Sequence, residues 1–186
     1  MSPESLAPPP KTIVMVGLMG VGKSSVGRRV ASRLGLPFFD ADAEIEAAAG
    51  CSISDLFARY GEPAFRAGER RVMRRLLGGP RSVIATGGGA FIDPETRALI
   101  AEQAISVWLR ADLDLLTKRV TGRDHRPLLQ GSDPRTILSG LMETRNPIYA
   151  EADLAVDSLD QPTDVTVTAV LRSLTAFVQG AEKQEA

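Results

Sequence analysis

The sequence predicts an α/β protein, a parallel sheet covered by helices on both faces. Three observations carry that reading. Short apolar runs alternate along the chain with longer segments of helical spacing, as strand–helix–strand units require. The run "TIVMVG" passes through a glycine-rich loop directly into an amphipathic stretch. The chain has 186 residues, 44% of them hydrophobic, which suits one domain of ordinary size with a sizeable core.

The elements follow in order. Residues 12–17 are an apolar, β-branched run suited to a buried strand. Residues 24–35, "SSVGRRVASRLG", place Val26, Val30 and Leu34 at helical spacing, with Gly35 as a stop. Further strands are expected at 37–40, 81–86, 104–110 and 153–157. Further helices are expected at 42–49, 53–59, 62–77, 94–102, 112–120, 134–149 and 163–179. Across residues 118–135, Gly122, Pro127, Gly131 and Pro134 prevent a continuous helix. The ends, 1–10 and 180–186, read as loose tails around a domain of 11–179. No internal repeat is visible.

The glycine loop has a chemical reading. Gly17, Gly22, Lys23 and Ser24 meet the pattern G-x-x-x-x-G-K-[ST], and Gly20 adds a third glycine. Strand, glycine loop and helix form the context that makes this a phosphate loop rather than an ordinary turn. Glycine lets backbone approach an anion, and the loop N–H groups and helix N-terminus supply positive potential. Lys23 would reach the outer phosphates and the Ser24 hydroxyl would ligate Mg²⁺. Lys23 is one of four lysines against 18 arginines.

Bulk properties narrow the partners. A formal net charge of −1 gives no general attraction to nucleic acid or an anionic membrane. One cysteine, Cys51, forbids an internal disulfide and suits reducing surroundings. No apolar run has membrane-span length, and "MSPESLAPPPK" has the pattern of neither a secretory signal nor an Arg-rich transit peptide.

In parallel sheets, ligands sit beyond the carboxyl ends of the strands. After the second strand, "FFDADAEIE" carries Asp40 and Asp42. Asp40 could hold Mg²⁺ through water; Asp42 either accepts a hydroxyl proton from a substrate or caps the next helix. After the third strand, "SVIATGGGAF" carries Gly87, Gly88 and Gly89, read as a sharp turn, a place where a ligand presses on backbone, or both. The helix at 62–77 holds Arg66, Arg70, Arg71, Arg74 and Arg75. Four of these suit a solvated face, whereas Arg66, directly after Phe65, could grip a carboxylate with its fork. "KRVTGRDHRPLLQGSDPR" reads as an arginine-bearing lid, with Arg126 for a transferring phosphate and Arg119 for stacking on a base. His125 reads as a surface loop residue. Arg145, two before Pro147, either faces the cleft or complements a helix terminus.

Taken together, "GLMGVGKSS", "FFDADAEIE", "GEPAFRAGER", "ATGGGAF", "RPLL" and "RNPIYAEAD", in that order, resemble shikimate kinase from about Lys11 to Arg172. The resemblance implies a nucleoside-monophosphate-kinase type of phosphate-loop fold, with three layers, a five-stranded parallel sheet of order 2-3-1-4-5 and a lid at about 121–133. It implies phosphorylation of the shikimate 3-hydroxyl by MgATP, on the route to chorismate and the aromatic amino acids, by a monomer in the cytoplasm. By match, Gly20, Val21, Gly22, Lys23, Ser24 and Ser25 hold the phosphates, with Arg126 on the transferring phosphate and Arg119 on adenine. Ser24 ligates Mg²⁺, with Asp40 behind it. Asp42, Arg66, Gly88 and Arg145 contact shikimate within a region of about 40–75 and beyond, Gly87 and Gly89 flank them, and Phe57, Phe65 and Glu69 shape the pocket. Lys23, Asp42 and Arg126 are the catalytic set.

Rival readings lack their signatures. A GTPase would need N-K-x-D, and the chain holds one asparagine, Asn146. The nearest rival is a different phosphate acceptor within the same fold: gluconate kinase and nucleoside-monophosphate kinases share the loop, but a nucleotide acceptor would call for base-reading groups. A nucleic-acid module would rest on the arginine helix, without interleaved aromatics.

Overall fold

The structure, a computed structural model, describes residues 8–121 and 133–184, with the backbone alone at 182–184. The order is β1 (Thr12–Val16), α1 (Lys23–Leu34), β2 (Phe38–Asp40), α2 (Ala41–Ala49), α3 (Ile53–Leu77), β3 (Val83–Ala85), α4 (Pro94–Gln103), β4 (Ala104–Arg110), α5 (Leu113–Thr121), α6 (Pro134–Tyr149), β5 (Leu154–Asp157) and α7 (Thr163–Gln184). The five strands form one sheet of order β2-β3-β1-β4-β5, and every pairing is parallel. This is the expected architecture.

Burial explains the order. All five residues of β1, "TIVMV", are buried, which only a central strand covered on both faces can satisfy. β3 and β4 flank it in register, with Met15 opposite Ala85 and Val107. α1 turns Val26, Val30, Ala31 and Leu34 inward, a stripe at helical spacing, and ends on Gly35 in the left-handed conformation. α1 packs on α7, while α3 packs on α4, which lies on β4. Right-handed crossovers put these two groups on opposite faces of the sheet.

One break is as expected, and two expectations at the chain ends need correction. The helices expected at 53–59 and 62–77 meet within α3 at a kink, where Gly61 takes the non-helical φ 75° and ψ 175°, with Pro63 two residues on. The kink lies in the interval left open between them, so the two helices stand as expected. The C-terminal tail expected from 180 is helical to Gln184, because α7 meets only good helix formers after Gly180. The N-terminal tail expected over 1–10 is docked at its end: Pro9 is buried, and its carbonyl accepts from Arg81 Nη1 at 3.1 Å. Among the described residues no helix is long and apolar enough to cross a membrane.

The core is continuous around β1, β3 and β4. Ile84 of β3 is fully buried beside Val14. Ile84→Ala should therefore lower unfolding free energy by about 2–5 kcal/mol. Urea titration should show this as a lower midpoint with an unchanged slope.

Candidate active site

The phosphate loop joins β1 to α1. Gly17 opens it at φ 134°, and a Cβ there would lie 2.6 Å from the Leu109 carbonyl oxygen. The position therefore excludes a side chain twice over, by conformation and by contact with backbone. Gly22 stands at the N-cap of α1 with no side-chain cap and no acidic residue in the first turn. The N–H groups of that turn have no intrahelical acceptor, and its residues line the cleft. Lys23 is buried and folded back, its Nζ donating to the carbonyls of Gly17 (2.7 Å) and Leu18 (2.9 Å). The arrangement is a cradle for an anion with a cation beside it.

Asp40 links this cradle to the next element. It ends β2 and caps α2, Oδ1 accepting from the Asp42 N–H at 3.1 Å and the Ala43 N–H at 3.4 Å. Oδ2 accepts from the Ser24 hydroxyl at 2.6 Å. The alternative in which Asp42 caps the helix is therefore overturned. The cap falls on Asp40, whose extended backbone meets the geometry a cap requires, and Asp42 sits in the first turn of α2.

The glycine run after β3 is where side chains converge. A Cβ on Gly87 would lie 2.6 Å from Asp42 Oδ1. A Cβ on Gly89 would lie 2.6 Å from Arg66 Nη1 and 2.8 Å from its Cζ. Arg145 Nη1 donates to the Gly88 carbonyl at 3.2 Å. Gly88 also lies against the phosphate loop, where its added Cβ would meet Met19 N at 3.5 Å. One carboxylate and two guanidiniums thus surround three residues that have no side chains, next to the anion cradle.

Arg66 is held from its own helix. Nη1 donates to Glu69 Oε2 at 2.6 Å, and Nη2 donates to Glu62 Oε1 at 3.3 Å. Its guanidinium also lies 5.2 Å from the centroid of the Phe65 ring, which packs on Phe57 at 4.6 Å between centroids. Phe65 is buried, while Phe57 is 39% exposed. Burial pushes the Glu69 carboxyl above its ordinary range, against the hydrogen bond and charge of Arg66; Asp42 and Asp93 add to the rise. Arg66 stays cationic, since Glu69 and Glu62 outweigh its own burial.

A cavity of about 520 Å³ runs along these parts. Its wall holds Gly20, Val21, Gly22, Lys23, Ser24 and Ser25, together with Asp40, Asp42, Gly87 and Gly88, and Arg119 on the far side. Arg66, Arg145, Phe57, Phe65 and Glu69 do not line it; Arg66 and Arg145 reach the glycine run beside it. Arg119 donates to the carbonyls of Val21 (3.1 Å) and Leu159 (2.9 Å) and to Ser158 Oγ (3.0 Å). Arg126, His125 and most of the segment expected as a lid lie outside the described residues.

Sequence reasoning missed some of this wall. Ser158, Gln161, Thr163 and Thr166 line the cavity, and Ser158 Oγ donates to the Val21 carbonyl at 3.0 Å. They follow β5, so the strand-end rule already applied to β2 and β3 would have found them. Of the arginines read as a solvated face, Arg71, Arg74 and Arg75 are exposed. Arg70 instead pairs with Asp93 at 3.0 Å, tying α3 to the cap of α4. Burial pushes Asp93 up, but Thr96 and Arg70 together hold its carboxyl below the usual range.

Fold and cleft define a phosphate-loop phosphotransferase, a kinase with a second, carboxylate-and-arginine site beside the nucleotide cradle. Comparison with known proteins is consistent and narrower. The shikimate kinase family profile matches residues 19–175. The chain is 62% identical to shikimate kinase of Paramagnetospirillum magneticum over 168 residues, covering 90% of this chain and 86% of that one. It is 63% identical to that of Caulobacter vibrioides over 164 residues, covering 88% and 82%. Among solved structures, shikimate kinase from Acinetobacter baumannii in complex with shikimate superposes with a TM-score of 0.86 at 34% identity, covering 89% of this chain and 93% of that one. The chain belongs to the shikimate kinase family.

Glu69 is raised in the folded protein, so its ionisation opposes folding. That cost is absent below the unfolded carboxylate range, grows as pH rises from there towards the raised value, and is complete above it. Arg66→Ala removes the cation that limits it. The variant's stability deficit should reach on the order of 2 kcal/mol at pH 8, less than a fully buried pair because Arg66 is partly exposed. The deficit should shrink towards pH 5, as read by melting temperatures of both proteins across that range.

Proposed function

We propose that this chain transfers the terminal phosphoryl group of ATP to the 3-hydroxyl of shikimate, giving shikimate 3-phosphate and ADP. The observation that carries the proposal is the glycine run 87–89. Asp42 closes on it at one end and Arg66 at the other, and the phosphate loop lies against its middle. A small acceptor with hydroxyls at one end and a carboxylate at the other matches that spacing of charges.

Each group has a part. Lys23 and the N–H groups of Gly20 to Ser25 bind the phosphates, and Lys23 exchanges its loop carbonyls for phosphate oxygens. Mg²⁺ fits the residues beside them. Ser24 can ligate through its lone pair while its proton is held by Asp40. Among the described residues no cluster of His, Cys, Asp or Glu could hold a metal alone, and an ion carried by phosphates and water needs none. When bound, the ion offsets charge on the transferring group. Arg119, fixed by three acceptors, offers a flat guanidinium to the base. Arg126, outside the described residues, is the arginine proposed for the transferring phosphate.

At the acceptor end, Asp42 takes the hydroxyl hydrogen and aims the oxygen. A loose transition state needs little activation of the nucleophile, so orientation is the larger part of its role. Arg66 and Arg145 bind the carboxylate with Gly88 between them. Phe57, Phe65 and Glu69 hold Arg66 in place, and Gly87 and Gly89 leave room for the groups around them. All of these come from one chain, so a monomer suffices. A cytoplasmic setting fits the lone cysteine and the use of ATP.

The test is ADP release from MgATP in a coupled assay, with shikimate and gluconate side by side. Turnover is expected with shikimate only, and ADP release indifferent to shikimate would sink the proposal. Asp42→Asn should lower kcat about a hundredfold with the KM for ATP nearly unchanged. Arg66→Lys keeps the charge but loses the fork, and should raise the KM for shikimate about tenfold or more. A chelator in excess over Mg²⁺ should abolish turnover, and added Mg²⁺ should restore it.

A further inference from the structure

We infer that Tyr149 is a positioning residue for the acceptor site, its hydroxyl holding the Gly88 carbonyl so that Arg145 can leave that carbonyl for an anionic substrate. The inference rests on the contact between Arg145 and the substrate carboxylate proposed above.

Tyr149 is the last residue of α6 and is fully buried. Its ring lies between Phe91 and Trp108, at 6.4 and 6.1 Å between centroids. Its hydroxyl donates to the Gly88 carbonyl oxygen. Arg145, one helical turn earlier, donates to the same oxygen at 3.2 Å. The neighbouring carbonyls are taken within the loop, Gly87 by the Ala90 N–H at 3.3 Å and Gly89 by the Ile92 N–H at 3.1 Å.

Gly88 therefore has two donors where one would satisfy it. The doubling has a use. Arg145 turns to a ligand more readily if the carbonyl it leaves keeps a partner, because a partly buried acceptor left without one opposes the move. Tyr149 supplies that partner from a rigid, packed position. It also occupies the carbonyl oxygen that would otherwise repel an arriving carboxylate. Burial pushes the phenol up to about 12, against the charge and hydrogen bond of Arg145 and the charge of Arg66. The hydroxyl thus keeps its proton, and its capacity to donate, throughout the neutral range.

The two-donor arrangement makes an unusual forecast. Without the hydroxyl, the free protein still has Arg145 on Gly88 and loses little. The loss falls on the bound state, when Arg145 departs. Tyr149→Phe should raise the KM for shikimate about tenfold, leave the KM for ATP within about twofold, and lower the melting temperature of the free protein by only a few degrees. Phe91→Leu loosens the same ring stack and keeps the hydroxyl. It should lower the melting temperature with the KM for shikimate near the wild-type value.

An unchanged KM for shikimate in Tyr149→Phe overturns the inference, as does an equal rise in Phe91→Leu, which would make packing the cause. Failure of Tyr149→Phe to fold would overturn it too, since the hydroxyl would then serve the fold itself. Wild-type turnover in the same assay separates the two claims. Its absence overturns the proposed function together with the substrate named here, whereas wild-type turnover with a flat Tyr149→Phe response overturns the inference alone.

Discussion

The close approach of charged side chains to backbone at Gly87–Gly89 is the constraint on which the site depends. A single methyl group on Gly87 would collide with the Asp42 carboxylate, and one on Gly89 with the Arg66 guanidinium. Three consecutive glycines weaken a chain locally, and the fold compensates around them. Thr86 fixes the end of β3 to β1 through the Met15 carbonyl. Arg97 binds the carbonyls of Phe91 and Ile92, and Arg70 holds the Asp93 cap. The flexible residues are thus bounded on both sides by anchored ones. An unstructured run becomes a surface of defined shape.

Asp40 is the second point of economy in the structure. Its two oxygens serve different elements, one capping α2 and one holding the Ser24 hydroxyl. The first turn of α2, which carries Asp42, is therefore registered directly against the first turn of α1, which carries the phosphate-binding groups. Donor and acceptor halves of the cleft share one carboxylate. A shift in either helix is felt by the other through a single side chain, which is how a site on several elements holds the narrow tolerances that group transfer demands.

Most of the fold was legible in the sequence because the period of apolar residues changes cleanly from strand to helix, and because β1 has no polar interruption. The phosphate loop was legible because its glycines, lysine and serine answer to a fixed geometry. Gly61 reads as a break, and the chain kinks there out of helical geometry. Other features were not legible. No local pattern says that Asp40 rather than Asp42 caps α2, since both precede a helical run and the choice depends on where Ser24 sits across the sheet. Arg70 is indistinguishable from Arg74 by spacing, and only the position of α4 separates them. The role of Ser158 was within reach of the strand-end rule. That of Tyr149 was not, because a tyrosine at a helix terminus does not reveal which carbonyl its hydroxyl meets.

The strand order has a consequence during synthesis. β1 is made first, yet its neighbours are β3 and β4, and Thr12 pairs with Ala104, 92 residues later (104 − 12). At ribosomal speeds of about 5–20 residues per second, β1 waits on the order of 5–20 seconds for both partners. Throughout that interval "TIVMV" is an uncovered apolar segment with strong β propensity, the type of sequence that pairs with whatever edge it meets. The strand that becomes the most protected in the finished protein is the most vulnerable in the nascent one.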